Sequence, residues 1–552
     1  MVEPKQEVIA LSEGQEPTDQ SPEANQTTAA IDDLLDDDVL REVFLYFPAQ
    51  AHWKAFHPHE ESTWLSITHV SRRWRTLSLS MPTIWSQIIT TPAFWAPLCL
   101  ERSQNAPIKI HLEWRKLYTR WNPSDQLVAS VLGHLSHTRA LNLESVPAPT
   151  YDRFVSLLKQ PADELFEFHL QAETAQGLQP LTIPGDIFAG RVRHLRDLAL
   201  EGLALRFEWK SPIFSSSLTR LSLTELSERV CRSELYAALR PMSELEHLRV
   251  ANALHLVPSS STAVPTLPPA GERVTLPKLK RISLEDHALD VCDFVGHLSL
   301  PPLLTIYIKM AQRDEHEDAV PSVTAAARVL SLLATPRASQ PKQRCEVRHF
   351  KTDHFEVRMA TPAENGDFRE EKDHLNITFR WKAFNARVER AAAFLAILGA
   401  LPLHAAHELL LSSRDPLSSV PAQDWAALGL FPSTEIVTLG GHAAYGFVHV
   451  LNTPGALPRM RKLVASNVHF ASPTRSEGLG ATLIQRLTEA PLEVLEIRSC
   501  NVAEEQVATF RRLCDEVKRE GSANTWGAVG TSVAAMVSEP AGPPAGALDE
   551  AE

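Results

Sequence analysis

From Ile31 the chain places apolar residues at helical spacing. Val39, Leu40, Val43, Phe44 and Phe47 fall at i, i+1, i+4, i+5 and i+8 behind a run of aspartates. The stripe predicts an amphipathic helix, capped by carboxylates and stopped by Pro48. After an irregular stretch over 49–62, Trp64, Ile67, Val70, Trp74 and Leu77 line a second helical face. Ser80 with Pro82 then supplies the start of a third short helix carrying Ile84, Trp85 and Ile88. Five of the eleven tryptophans lie between positions 53 and 95, so a compact core can be built there from few residues.

Beyond this segment the period changes to apolar-x-x-apolar-x-apolar. Clear copies are Leu195/Leu198/Leu200, Leu218/Leu221/Leu223, Leu245/Leu248/Val250, Leu279/Ile282/Leu284, Leu303/Ile306/Ile308, Met460/Leu463/Ala465 and Leu492/Leu495/Ile497. Fainter ones are Leu165/Phe168/Leu170 and Ala406/Leu409/Leu411. Neighbouring clear copies lie 23–34 residues apart, overlapping the period of about 20–29 of leucine-rich repeats. In a short strand the last two apolar positions of each copy share one face and enter a core, while the residues between them project outward. Stacking such units into a continuous parallel sheet buries what one unit cannot. The ninth position, where an asparagine or cysteine would bond the turn backbone, matches only at Cys500. Elsewhere it is Leu203, Leu226, Ala253, His287, Ala311 or Val468, so a distorted stack with varied turns is expected.

Three polar segments interrupt the repeat: 257–277, rich in Pro, Ser and Thr; 312–346, with one predicted helix over Val323–Leu333; and 361–373. Between Phe350 and Ala383 two strings alternate as strands, followed by a helix over Val388–Leu401; this stretch reads either as diverged repeats or as an inserted α/β lobe. The expected fold class is α/β. A helical domain over 31–95 precedes a repeat domain over 96–520, between disordered acidic ends at 1–30 and 521–552.

Charge sharpens this division. The formal net charge is −13, but residues 1–38 hold eleven acids against Lys5 alone, and the tail from Met536 adds four acids and no base. The body is close to neutral. No basic stripe is present to displace counterions, so neither DNA nor RNA is an expected partner. The six cysteines contain no C-x-x-C pair, which points to reduced thiols in the cytoplasm or nucleus. The apolar run Ala391–Leu401 is short of the about 20 residues a bilayer requires, so a buried helix is expected there and no membrane partner. No phosphate loop, H-E-x-x-H helix or G-x-S-x-G elbow occurs. His404 and His407 have a spacing that could share a helical face, but among twenty-two histidines such pairs arise by chance. No catalytic, cofactor-binding or metal site is expected.

The stretch IDDLLDDDVLREVFLYF, followed by WLSITHVSRRWRTLSLSMPTIWSQI, resembles an F-box. It is similar to fungal-type F-box proteins in which the box precedes divergent leucine-rich repeats. V-x-R-R-W-R (Val70–Arg75) and M-P-T-I-W (Met81–Trp85) are the more specific half, and LEVLEIRSCNV resembles a terminal repeat of that group. The box usually opens with Leu-Pro; here Leu35 is followed by Asp36, which can cap the same turn. The resemblance implies the substrate-recognition subunit of a Skp–cullin–F-box (SCF-type) ubiquitin ligase, non-catalytic itself. Its three-helix box would dock on a Skp-type adaptor, and through it a cullin–RING assembly, by Leu35, Val39, Leu40, Val43, Val70 and Trp74. Phe44, Trp74 and Trp85 are expected mainly in the core. A protein substrate would meet the outward strand positions Asp197, Glu201, Arg220, Thr224, His247, Arg249, Arg281, Glu285, Tyr307, Lys309, Glu496 and Arg498. A solvated charged face is the plain alternative for these. A repeat-based interaction scaffold whose box recruits no ligase is the alternative for the whole chain.

Overall fold

The computed structural model describes residues 35–50, 66–89, 95–114, 123–173, 181–203, 205–226, 231–257, 263–302, 304–312, 319–334, 343–350, 354–361, 372–380, 393, 395–413, 425, 431–468, 470 and 479–521. The predicted disordered ends, apart from Gly521, and most of the 361–373 segment lie outside them. The chain divides into two compact units. One comprises Met1–Ser145 with Ala162–Leu165, the other Val146–Pro161 with Phe166–Glu552. The first unit therefore runs past residue 95, the boundary expected from the end of the tryptophan-rich segment.

In the first unit, helix α1 (Asp37–Gln50) starts where Asp36 Oδ1 accepts the Val39 N–H at 2.8 Å. The predicted stop at Pro48 is not observed; a proline removes one donor, and the helical backbone continues to Gln50. The second predicted helix is split into α2 (Ile67–Val70) and α3 (Arg72–Leu79) by Ser71, which is extended at φ −151° and ψ 169°. Ser71 Oγ accepts the Trp74 N–H at 3.2 Å, because serine satisfies a helix start better than a helix interior. The third helix is a 3₁₀ turn, Pro82–Ser86. Phe44 and Trp85 are fully buried, as expected, with Trp74 tilted onto Phe44 at 5.0 Å and Trp85 Nε1 donating to Ser78 O at 2.9 Å. Next come β1 (Gln87–Ile89), α4 (Trp95–Ser103), β2 (Ile108–Glu113), α5 (Asp125–Leu132) and β3 (Thr138–Val146). The three strands pair in parallel, β1 with β2 and β2 with β3.

The second unit is mixed α/β, built on a large, mostly parallel sheet. Its first half contains α6 (Tyr151–Leu157), β4 (Glu167–Ala172), β5 (Leu181–Ile183), β6 (Asp197–Glu201), β7 (Leu205–Phe207), β8 (Arg220–Thr224), α7 (Arg232–Leu239), β9 (His247–Ala251), β10 (Val274–Thr275), β11 (Arg281–His287), α8 (Ala288–Gly296), β12 (Leu298–Ser299), β13 (Thr305–Ala311) and α9 (Ala319–Ala334). Strands β4, β6, β8, β9, β11 and β13 pair in that order, all parallel, and the apolar pattern is in phase across them. Phe168, Leu198, Leu221, Leu248, Ile282 and Ile306 lie opposite one another, and all are buried. Strand pairs β5–β7 and β10–β12 tie the returning segments together.

The second half contains β14 (Arg344–Phe350), β15 (His354–Thr361), β16 (Lys372–Arg380), β17 (Glu408–Ser413), β18 (Ile436–Gly441), α10 (Ala443–Leu451), β19 (Lys462–Ser466), α11 (Leu479–Glu489), β20 (Leu492–Arg498), α12 (Glu504–Leu513) and β21 (Cys514–Glu520). Here the open question over 350–411 is resolved. Strand β13 pairs with β16 in parallel, β16 and β14 flank β15 antiparallel, and β14 pairs with β17 in parallel. A three-stranded meander is thus spliced into the stack in reversed order, neither a plain repeat nor a separate lobe. From β17 to β21 parallel stacking resumes.

Several strands leave the sheet through a residue in the left-handed region, including Gly202, Glu225, Asn252, Asn467 and Ser499. Their N–H groups extend the ladder by one bond: Gly202 to Thr224 O, Glu225 to Ala251 O and Asn252 to Glu285 O. Gly202 (φ 133°) has no room for a side chain, since a Cβ would lie 2.6 Å from Ala172 O. Among the described residues no helix is long and apolar enough to cross a membrane.

Candidate interaction surfaces

The helical start of the first unit carries an uncovered apolar row. Val39, Val43 and Tyr46 follow at i, i+4 and i+7 on α1 and are 43, 36 and 67% exposed, with Val70 54% exposed on α2. Leu40 departs from the expected adaptor face. It is 0% exposed and belongs to the core, because the apolar stripe of α1 is wide enough for one edge to pack inward with Phe44 while the other faces solvent. Leu35 and Trp74 are half-buried. Arg73 fixes the helix entry, donating from Nη2 to Leu35 O at 2.8 Å and from Nε to Asp37 Oδ1 at 2.9 Å. Asp36 caps the turn, as the departure from Leu-Pro allowed. Tyr46 was missed by the sequence reading, although its i+7 position continues the same row.

The sheet of the second unit presents its outward side chains in register rows. Arg220, His247 and Arg281 are directly opposite on β8, β9 and β11; Ser222, Arg249, Ser283 and Tyr307 form the next row. Glu201 and Thr224 face each other on β6 and β8, and Glu285 faces Lys309 on β11 and β13. Many charges on this face are paired, some across neighbouring strands and some two residues along the same strand. His169 and Arg220 approach Asp197 at 3.4 and 3.3 Å, and Gln171 donates to Glu201 at 2.8 Å. Lys309 meets Glu285 at 3.2 Å. In the second half, Arg358 pairs with Glu356 at 2.6 Å, Arg348 with Glu346, and Lys518 with Glu516 at 3.2 Å.

Glu496 is not an open contact position. It is buried beneath Lys462 at 2.6 Å and Arg498 at 2.5 Å. Burial alone would raise its carboxyl pKa, but the two cations outweigh it and hold it below the ordinary range. Asp197 behaves alike: burial opposes ionisation, and the His169 and Arg220 bonds prevail, leaving a lowered pKa. His247 is pushed down by burial and then by the Arg220 charge, with Glu246 opposing.

Sequence reasoning also missed a buried polar group behind the sheet. Asp286 accepts Ala253 N–H and Leu254 N–H at 2.8 Å on one oxygen and His287 N–H at 2.8 Å on the other. Asp290 accepts Val257 N–H at 2.7 Å. Asp293 meets Arg232 at 2.9 Å and accepts from Tyr236 Oη at 3.4 Å. Cys500, the one turn residue the pattern marked, is held by Ala465 O at 3.3 Å and Arg498 O at 3.2 Å, with Val468 N at 3.4 Å from its sulfur. All six cysteines are unpaired. His404 lies on a 3₁₀ turn, Leu403–Ala405, whereas His407 sits at a bend just before β17, 3.8 Å from Glu435, so the two share no helical face. Among the described residues no group of three or more His, Cys, Asp or Glu could hold a metal ion.

No family model and no curated protein matches the chain.

Proposed function

We propose that the protein is the substrate-recognition subunit of an SCF-type ubiquitin ligase, its helical segment docking on a Skp-type adaptor and its stacked sheet binding a protein substrate. The observation that carries this reading is the exposed row Val39, Val43 and Tyr46, with Val70 on the next helix, above a closed core of Leu40, Phe44, Ile67 and Trp85. Desolvating such a row against a partner helix is favourable at about 25 cal/mol per Å² of apolar surface. The resemblance of the same residues to an F-box supports the choice of partner. Leu35, held by Arg73, and Trp74 complete the docking face at its edge. The ordered, ion-paired sheet of the second unit supports a repeat domain of leucine-rich type that presents polar groups to a substrate. Ligation then requires no chemistry from this chain; it raises the effective concentration of a substrate lysine near the enzyme the assembly holds.

The test is co-purification of the full chain with the adaptor. Val43→Asp combined with Val70→Asp should reduce recovered adaptor at least about tenfold while circular dichroism stays unchanged, since both positions are exposed. A wild-type chain that retains no adaptor, or a double variant that retains as much, overturns the reading. Leu40 is unsuitable for this purpose, because an aspartate there would disrupt the core.

A further inference from the structure

We propose that the sheet face around Arg249 binds an acidic peptide segment in extended conformation, recognised through its carboxylates. The inference takes the sheet as the substrate face, as the proposed function does, and names the chemistry of what it accepts.

Three cationic or protonatable side chains, Arg220, His247 and Arg281, stand in one register row on adjacent strands. Strands lie about 4.8 Å apart, so the row spans about 10 Å. Arg249 stands two residues further along the central strand, about 7 Å away, between Ser222 and Ser283. Arg220, Arg249 and Arg281 are exposed. Like charges opposite one another on a sheet are unfavourable, and elsewhere this face offsets the cost by pairing bases with neighbouring acids. Here only Arg220 is so paired, with Asp197. Among the described residues neither Arg249 nor Arg281 has an acidic partner, and the nearby acids are engaged: Asp197 by His169 and Arg220, Glu246 by Lys280 at 2.8 Å, Glu285 by Lys309. Arg281 instead stacks on Tyr307, 4.7 Å from the ring centroid, which holds the guanidinium plane and leaves its N–H donors for an acceptor.

The dimensions select the ligand. Alternate side chains of an extended peptide repeat at about 6.6–6.8 Å, close to the step from the Arg220–Arg281 row to Arg249. Separate cations over an open surface suit several spaced single charges better than one compact dianion. Glu201 on β6 and Glu285 on β11 stand in one register row two residues beyond Arg249 and close the patch at that end of the strands, where the run of phosphates of a nucleic-acid strand would meet like charge.

The experiment is fluorescence anisotropy of the full chain with a short fluorescein-labelled peptide of alternating glutamate and serine. Binding should weaken with added salt and fall about tenfold or more in Arg249→Gln/Arg281→Gln, whereas Lys278→Gln, outside the sheet face, leaves it unchanged. An unaltered melting temperature in the double variant shows that the fold is retained. No binding by the wild-type chain, equal binding by the double variant, or equal binding of a lysine–serine peptide overturns the proposal. So does binding only when the serines are phosphorylated, or tighter binding of a single-stranded oligonucleotide of equal charge. Adaptor recovery is not read in this assay, so its outcome and that of the docking test are separable.

Discussion

Asp286 and Cys500 solve one problem with different chemistry. Each lies near the exit of its strand and bonds the backbone of the preceding turn, whose N–H groups have left the ladder and are buried. Cys500 stands at the ninth repeat position and was legible in the sequence. Asp286 stands at the eighth and was not, because β11 continues straight to His287 and brings the eighth side chain inward. Truncation should reveal the difference. A carboxylate accepting three N–H bonds is charge-assisted, so Asp286→Ala should cost about 2–4 kcal/mol, against about 1–2 kcal/mol for Cys500→Ala. Urea unfolding monitored by tryptophan fluorescence measures both, and equal losses would contradict the assignment. The same scale explains Leu40 and Val39. Spacing identifies a stripe but not which of its edges packs inward, since that depends on where the following helices cross, and Ser71 breaks those helices in a way no periodicity announces.

At the scale of elements, the contact between α7 and α8 joins an aromatic stack to one buried carboxyl. Tyr236 stacks on His297 at 4.7 Å and on Phe294 at 6.0 Å, and Asp293 joins the two helices through Arg232 and the Tyr236 hydroxyl. Burial raises the Asp293 pKa above the ordinary carboxylate range, in spite of the lowering by Arg232, His297 and the Tyr236 bond, with Asp290 adding to the rise. A raised folded-state pKa means that the native protein binds this proton more tightly than the unfolded chain. The associated stability is therefore present at low pH and lost as pH climbs through the window above the unfolded value of about 3.9. Removing Arg232 lifts the folded value further. Arg232→Gln should cost about 1–3 kcal/mol at pH 7.5, less than a fully buried pair because the guanidinium is half-exposed, and the cost should shrink toward zero near pH 4. Unfolding curves across that range decide it; a pH-independent loss would assign Arg232 a packing role only. Neither helix was marked in the sequence. Arg232, Asp293 and His297 are ordinary surface residue types in ordinary positions, and the burial of Asp293 among them is a product of stacking.

The whole second unit shows the same limit at larger scale. Apolar triplets marked most of the parallel strands correctly, because in-phase stacking demands the same residue types at the same spacing in each copy. Strands β15 and β16 were legible as alternating strings, but β14 and the reversed order of the meander were not, since an antiparallel strand alternates with a period of two whichever way it runs, and direction is set by pairing alone. Its placement has a mechanical consequence. Among the described residues, all ladder bonds between the stretch β4–β13 and the stretch β17–β21 pass through β15, the one reversed strand there, flanked by Val347 on β14 and Ile377 on β16 opposite Val357. In stacked architectures each element is stabilised mainly by its neighbours, so a weak central link divides one cooperative block into two. Val357→Pro removes a donor in the middle of a strand paired on both sides, at a cost of about 3 kcal/mol or more. Hydrogen exchange followed by mass spectrometry in moderate urea should then show 408–520 and 167–311 losing protection at separate denaturant concentrations, where the wild-type chain loses both together. If the two stretches still open together in the variant, merely at lower urea, the coupling runs through the helical layer behind the sheet and not through β15.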